Sequence, residues 1–186
     1  MRGVGLLRIS EAELARITIP TDLIWGGEDE ANRLRIADPG RALAETGRVL
    51  RDGGRLALAV WGAPEDNPFV AVAVRALVAE GHMASPDPEG PGVFRLADPS
   101  RLRGLMHDAG FKSIDLEEVP VRFAVDGVEH YLSIIDTAGP IGLALQGLDE
   151  QQRAAVRERV CDALAPFRSD EGLVLPGIAL AASAVR

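Results

Sequence analysis

Residues 48–61 read Arg48-Val49-Leu50-Arg51-Asp52-Gly53-Gly54-Arg55-Leu56-Ala57-Leu58-Ala59-Val60-Trp61. A helix must end inside this stretch and a strand must begin. Gly53 can take the left-handed conformation that closes a helix, and the glycine pair lets the chain reverse where a Cβ would be strained. Leu56 to Trp61 is then apolar at every position. A continuous apolar run, as opposed to an alternating one, predicts a strand of a parallel sheet covered on both faces.

Working upstream, Asp38-Pro39 supplies an N-cap carboxylate and a proline suited to the first helical position, so a helix is expected from Pro39 to the glycine pair. Leu43, Gly47, Val49 and Leu50 would form its inward face. Before it, Thr18 to Gly27 carries apolar β-formers closed by a glycine pair and predicts a short strand, its pairing restricted at the start by Pro20. Strand, helix and buried strand then make a βαβ unit, with a right-handed crossover. Ser10 and Glu13 have capping-box spacing, with Ile9 and Leu14 placed as the hydrophobic staple of a short helix over Glu11 to Arg16.

Downstream, the alanine-rich stretch Phe69 to Glu80 predicts a helix stopped by Gly81, although Val70, Val72 and Val74 also alternate as in a strand. Ser85 to Gly92 is dense in turn formers and predicts a loop. Asp98-Pro99 repeats the earlier cap and predicts a helix to Ala109 with a stop at Gly110. Lys112 to Val125 predicts a strand kinked or bulged at Pro120, and Gly127 to Asp136 a further helix. Asp149 would cap a long amphipathic helix to about Ala165, with Ala155, Val156, Val160 and Leu164 inward. Gly177 to Val185 closes the chain as a strand. No internal repeat or low-complexity linker divides the sequence, and 186 residues suffice for a single domain with its own core.

The net charge of −8 and the absence of a Lys/Arg-rich run argue against a nucleic-acid surface. The apolar run at the N-terminus is too short for a signal peptide, and no uninterrupted apolar stretch is long enough to span a bilayer. A cytoplasmic protein without membrane contact is expected. The single cysteine, Cys161, permits no internal disulfide and reads as a small buried hydrophobe.

Three stretches together resemble a known family. Asp22-Leu23-Ile24-Trp25, then Asp38-Pro39-Gly40-Arg41-Ala42-Leu43-Ala44-Glu45, then the opening segment from Arg48 to Trp61 are similar to the fourth strand, following helix and fifth strand of class I S-adenosylmethionine-dependent methyltransferases of the ubiquinone/menaquinone type. Phe94-Arg95-Leu96-Ala97-Asp98-Pro99 and Leu105-Met106-His107-Asp108-Ala109-Gly110-Phe111 resemble the helix feeding that family's sixth strand. The most specific part is Val49-Leu50-Arg51-x-Gly53-Gly54. The resemblance implies an α/β fold: a partial Rossmann-like methyltransferase sheet, fourth to seventh strands, with flanking helices. It implies S-adenosylmethionine as cofactor and a small-molecule acceptor, with Trp25 and Gly26 on the cofactor side and Trp61, Asn67, Phe69 and Phe94 on the acceptor side. His82 would fall near the loop over the acceptor pocket and is a candidate base; an ordinary surface or core histidine is the plainer account.

The family holds its cofactor with a Gly-rich turn after the first strand and an acidic residue after the second. Neither stands in this sequence: Gly3-Val4-Gly5 has no strand before it. The expectation is a C-terminal portion of the fold, in which Thr21 to Trp25 becomes an exposed sheet edge. Such an edge invites a homodimer, a partner chain or cover from the N-terminal helix. Two function classes follow: a methyltransferase, or a non-catalytic interaction module whose partner supplies the missing strands.

Leu14 to Asp29 also resembles the strand and turn that deliver the acid of an α/β-hydrolase triad, with Asp29 in the acid's place. No Gly-x-Ser-x-Gly elbow accompanies it, and an acid without nucleophile and base does no hydrolysis. A fused hydrolase-derived segment is the remaining form of that idea. His82, His107 and His130 fall in separate elements without the spacing of a metal site, and Glu28-Asp29-Glu30 reads as a solvated loop more readily than as a cation site. Trp25 and Trp61 end two strands expected to be neighbours, either as ligand-facing aromatics or as lids on the core.

Overall fold

A computed structural model describes residues 38–186 apart from 89 and 171. The expected N-terminal helix, the Thr18 to Gly27 strand, its exposed edge, and the residues Trp25, Gly26 and Asp29 lie outside the described residues. So does the first strand of the expected βαβ unit.

The chain is a mixed α/β structure with an antiparallel sheet and flanking helices, divided into two compact units. The first comprises residues 38–63, 87–120 and 178–186 of the described chain; the second comprises 64–86 and 121–177. The sheet elements are β1 (Arg55–Trp61), β2 (Lys112–Val125), β3 (Arg168–Ser169) and β4 (Gly172–Val185), in the order β1-β4-β2 with β3 paired to β4.

In the first unit, α1 (Pro39–Val49) starts where Asp38 Oδ1 accepts from the Arg41 amide at 2.9 Å. The chain ends the helix at Leu50 and reverses through Gly53 at φ +72°. The second helix of this unit runs from Pro99 to Asp108, with Asp98 accepting from the Ser100 amide at 2.8 Å and Gly110 at φ +87° after it. Leu43, Leu102, Met106, Phe111, Leu180, Ala182 and Ala184 form the core here, with Leu56, Leu58 and Val60 packed onto it. The two helices approach closely at Gly47, where an added Cβ would lie 3.2 Å from the Ala109 carbonyl.

One expectation is corrected in this unit, the inward placement of Val49. β1 is paired antiparallel to β4, Arg55 opposite Val185 and Trp61 opposite Ala179; the parallel neighbour expected for it, the Thr18 to Gly27 strand, lies outside the described residues. Along β1, Leu56, Leu58 and Val60 alternate with alanines and pack half-buried against the core, while Ala59 stays exposed. Val49, expected inward, is 64% exposed, because the helix turns Leu43 and Gly47 to the core and leaves Val49 on the far side.

In the second unit, α2 (Pro68–Ala79) ends before Gly81 at φ +76°. It contributes Phe69, Ala71, Val72, Ala73, Ala76 and Leu77 to the buried set, which resolves the helix–strand ambiguity. The helix of the first unit at Pro99–Asp108 is α3 in chain order; here follow α4 (Val128–Ile135), α5 (Gly139–Gln146) and α6 (Glu150–Leu164). α6 packs on α2 and α4, burying Val156, Val160 and Leu164. Its start carries a full capping box: Asp149 accepts from the Gln152 amide at 2.8 Å and Gln152 Oε1 accepts from the Asp149 amide at 3.1 Å. Cys161, read as buried, is only half-buried on α6. α5, the 3₁₀ turn Ala165–Phe167 and β3 carry no strong sequence signal and were not anticipated.

β2 runs from Lys112 to Val125 and includes Pro120. It lies at the edge of the described sheet, and an edge position tolerates a missing amide donor. β4 starts at Gly172, earlier than the expected Gly177, and it passes through Pro176. That proline falls between the β3 pairing, which ends at Leu173, and the β1 pairing, which begins at Ala179.

Candidate functional site

The four acceptor-side residues are distributed over both units. In the first, Trp61 closes β1 opposite Ala179 and is half-buried. Immediately after it, the Gly62 amide donates to the Ile178 carbonyl at 2.9 Å, and a Cβ on Gly62 would stand 3.1 Å from that oxygen. This glycine seals the strand end against β4. Phe94 is half-buried in a turn closed by the Ala97 amide on the Phe94 carbonyl at 3.0 Å. Both aromatics therefore combine a packed face with partial access to solvent.

In the second unit, Asn67 and Phe69 come together at the start of α2. Asn67 is the N-cap residue, yet its side chain makes no cap hydrogen bond and is 1% exposed, the one buried polar residue among those described. Its amide is turned to Gly177, where an added Cβ would lie 2.9 Å from Oδ1 and 2.7 Å from Val121 Cγ2.

Phe69 is a member of a buried aromatic group. Its ring stacks on Phe123 at 4.4 Å between centroids and meets Tyr131 edge-on at 5.5 Å. The Tyr131 hydroxyl donates to the Phe69 carbonyl at 2.9 Å. Burial pushes the Tyr131 phenol well above its ordinary range, with the Ala73 backbone acting weakly in the opposite sense. Tyr131 and Gly177 were missed in the sequence, although the chain's only tyrosine, set among Leu132, Ile134 and Ile135, was a signal that a polar handle would need a partner.

His82, the candidate base, is half-buried at the end of α2, where its own amide donates to the Leu77 carbonyl at 2.8 Å. His107 is exposed beside Asp108 at 3.7 Å, and His130 Nδ1 accepts from the Asp126 amide at 3.3 Å. No cluster of metal-ligating side chains occurs among the described residues. Nor does any described helix reach the length and apolarity needed to cross a membrane.

The described residues do not by themselves fit S-adenosylmethionine. The one strand-ending glycine near Trp61 is closed against Ile178, leaving no open backbone cradle there.

No protein family matches the sequence. No curated protein matches it either. Among solved structures, the chain is similar to a candidate methyltransferase from Bacillus halodurans C-125, at 16% identity and a TM-score of 0.40. The similarity covers 79% of this chain and 57% of that one, so the chain spans little more than half the length of that protein.

Proposed function

We propose that this chain is a methyltransferase-family protein acting on a small-molecule acceptor, with S-adenosylmethionine as the methyl donor. The observation that carries the proposal is the ordered run of elements at the residues of the sequence resemblance. A helix capped by Asp38 and a left-handed turn at Gly53 lead into β1, and a second helix capped by Asp98 leads into β2. In this reading β1, β2 and β4 are the fifth, sixth and seventh strands of a Rossmann-like sheet within a single cytoplasmic domain.

Trp61, Asn67, Phe69 and Phe94 would stand on the acceptor side and Trp25 and Gly26 on the donor side. Catalysis of this kind rests on holding donor and acceptor in line, which asks for shape and orientation more than for a strong acid or base. The donor-binding groups are assigned to residues before Asp38, or to a second chain paired at the Thr21 to Trp25 edge.

Calorimetric titration with S-adenosylmethionine and with its demethylated product tests the proposal. Saturable heat with a dissociation constant of about 1 mM or tighter, weakened by Trp25→Ala, is expected. No heat from either compound, with the protein at high concentration and light scattering showing its oligomeric state, removes donor binding from this chain.

A further inference from the structure

We infer that the groove between α3 and the amino end of β2 is a binding site for a small organic phosphate. It lies wholly within the first unit and has a volume of about 740 Å³. Small-molecule sites occupy roughly 300–1,000 Å³, so the size is appropriate. Ligand sites of open α/β sheets lie at carboxyl strand ends, whereas this groove sits at the start of β2, at Lys112 to Ile114. It is thus separate in kind from the acceptor side proposed above.

The helix pattern builds one wall. Leu102 and Met106 face the core with no exposure, which turns Ser100, Arg103 and His107 to the groove. Between them stands Gly104 in the middle of the helix, at a cost of about 1 kcal/mol relative to alanine. Packing gives no reason for it: a Cβ there would meet nothing within 4 Å. What the missing side chain does is keep the wall low and the groove open.

Charge and backbone make the second and third observations. Among the described residues lining the groove are Arg103 and Lys112 and no carboxylate, in a chain with 28 acidic and 20 basic residues. Arg103 Nη1 donates to the Ile114 carbonyl at 2.6 Å, which fixes the guanidinium beside the groove. Ser113, next to Lys112, has φ +49° and is the one non-glycine with a left-handed backbone among the described residues. That conformation costs on the order of 1 kcal/mol and concentrates at binding sites. Pro99 and Ile114 give the groove apolar surface for an organic body. Two permanent cations from separate elements, with the Ser100 and Ser113 hydroxyls, suit a dianion better than a single carboxylate.

The test is an NMR titration of the full chain with phenyl phosphate, phenol and inorganic phosphate. Phenyl phosphate is expected to saturate with shifts at Arg103, Gly104 and Ser113, about tenfold tighter than either fragment. Lys112→Gln and Gly104→Leu alter exposed positions and leave the Arg103–Ile114 hydrogen bond in place; each should weaken binding about tenfold or more, the first by removing charge and the second by filling the groove. Absence of saturation by phenyl phosphate at about 10 mM would overturn the assignment. So would equal affinity for phenol, or affinity unchanged in both variants.

Discussion

Arg186 and Gly54 are joined main chain to main chain, the Arg186 amide donating to the Gly54 carbonyl at 2.9 Å and the Gly53 amide to the Arg186 carbonyl at 3.4 Å. The Arg186 guanidinium reaches back as well: Nη1 donates to the Leu50 carbonyl and lies 3.4 Å from that of Arg48. These carbonyls belong to the end of α1, where helix geometry leaves acceptors without donors and a cation is favoured by the macrodipole. Arg186→Ala should therefore lower stability by about 0.5–1 kcal/mol, seen as a lower urea midpoint with an unchanged slope. Arg186→Lys should recover part of the loss.

Tyr131 gives a prediction about pH. Its phenol is buried on the Phe69 carbonyl and held above its ordinary range chiefly by that burial. The folded state thus keeps a proton that the unfolded state gives up near pH 10. Stability from this group is fully present below that pH and declines as pH rises above it, because the unfolded chain then binds fewer protons. Tyr131→Phe should cost about 1 kcal/mol at neutral pH and flatten the alkaline decline. As Tyr131 is the chain's only tyrosine, phenolate absorbance should appear together with unfolding, not ahead of it.

Gly177 faces Val121, Asn67 and Phe123 at 2.7, 2.9 and 3.1 Å from an ideal Cβ. All three atoms are on side chains, so the site yields partly under strain. Gly177→Ala should destabilise by about 1–3 kcal/mol and Gly177→Val by more, measured by denaturant unfolding. An Asn67→Ala, Gly177→Ala double variant should lose less than the sum of the singles, since the first change removes one of the clashing groups.

The helix boundaries were legible because their signals are local. Asp38, Asp98 and Asp149 accept from amides two or three residues on, and Gly53, Gly81 and Gly110 have left-handed backbones where stops were expected. The partner of β1 was not legible, since it lies more than a hundred residues away at Ala179 to Val185. For the candidate site, Asn67 and Phe69 were named from the sequence, but their partners Gly177, Phe123 and Tyr131 are brought to them by tertiary packing. The groove beside α3 rests on Gly104, whose isolation is invisible until its surroundings are known.

The two glycines of the decisive turn should respond differently to substitution. Gly53 has φ +72°, and a Cβ added to it would meet nothing within 4 Å. Its replacement is opposed by backbone conformation alone, so Gly53→Ala should cost about 1 kcal/mol and Gly53→Asn less, asparagine being tolerant of left-handed geometry. At Gly54 the opposition is steric: a Cβ would stand 2.7 Å from the Arg51 carbonyl oxygen, which is backbone and already accepts the Gly54 amide at 2.8 Å. Neither atom can yield without opening the turn that starts β1. Gly54→Ala should accordingly cost about 2–3 kcal/mol, and Gly54→Asn should give no relief. Urea unfolding of the four single variants decides the matter. Equal losses at the two positions, or recovery by asparagine at position 54, would show that conformational freedom alone shapes the turn.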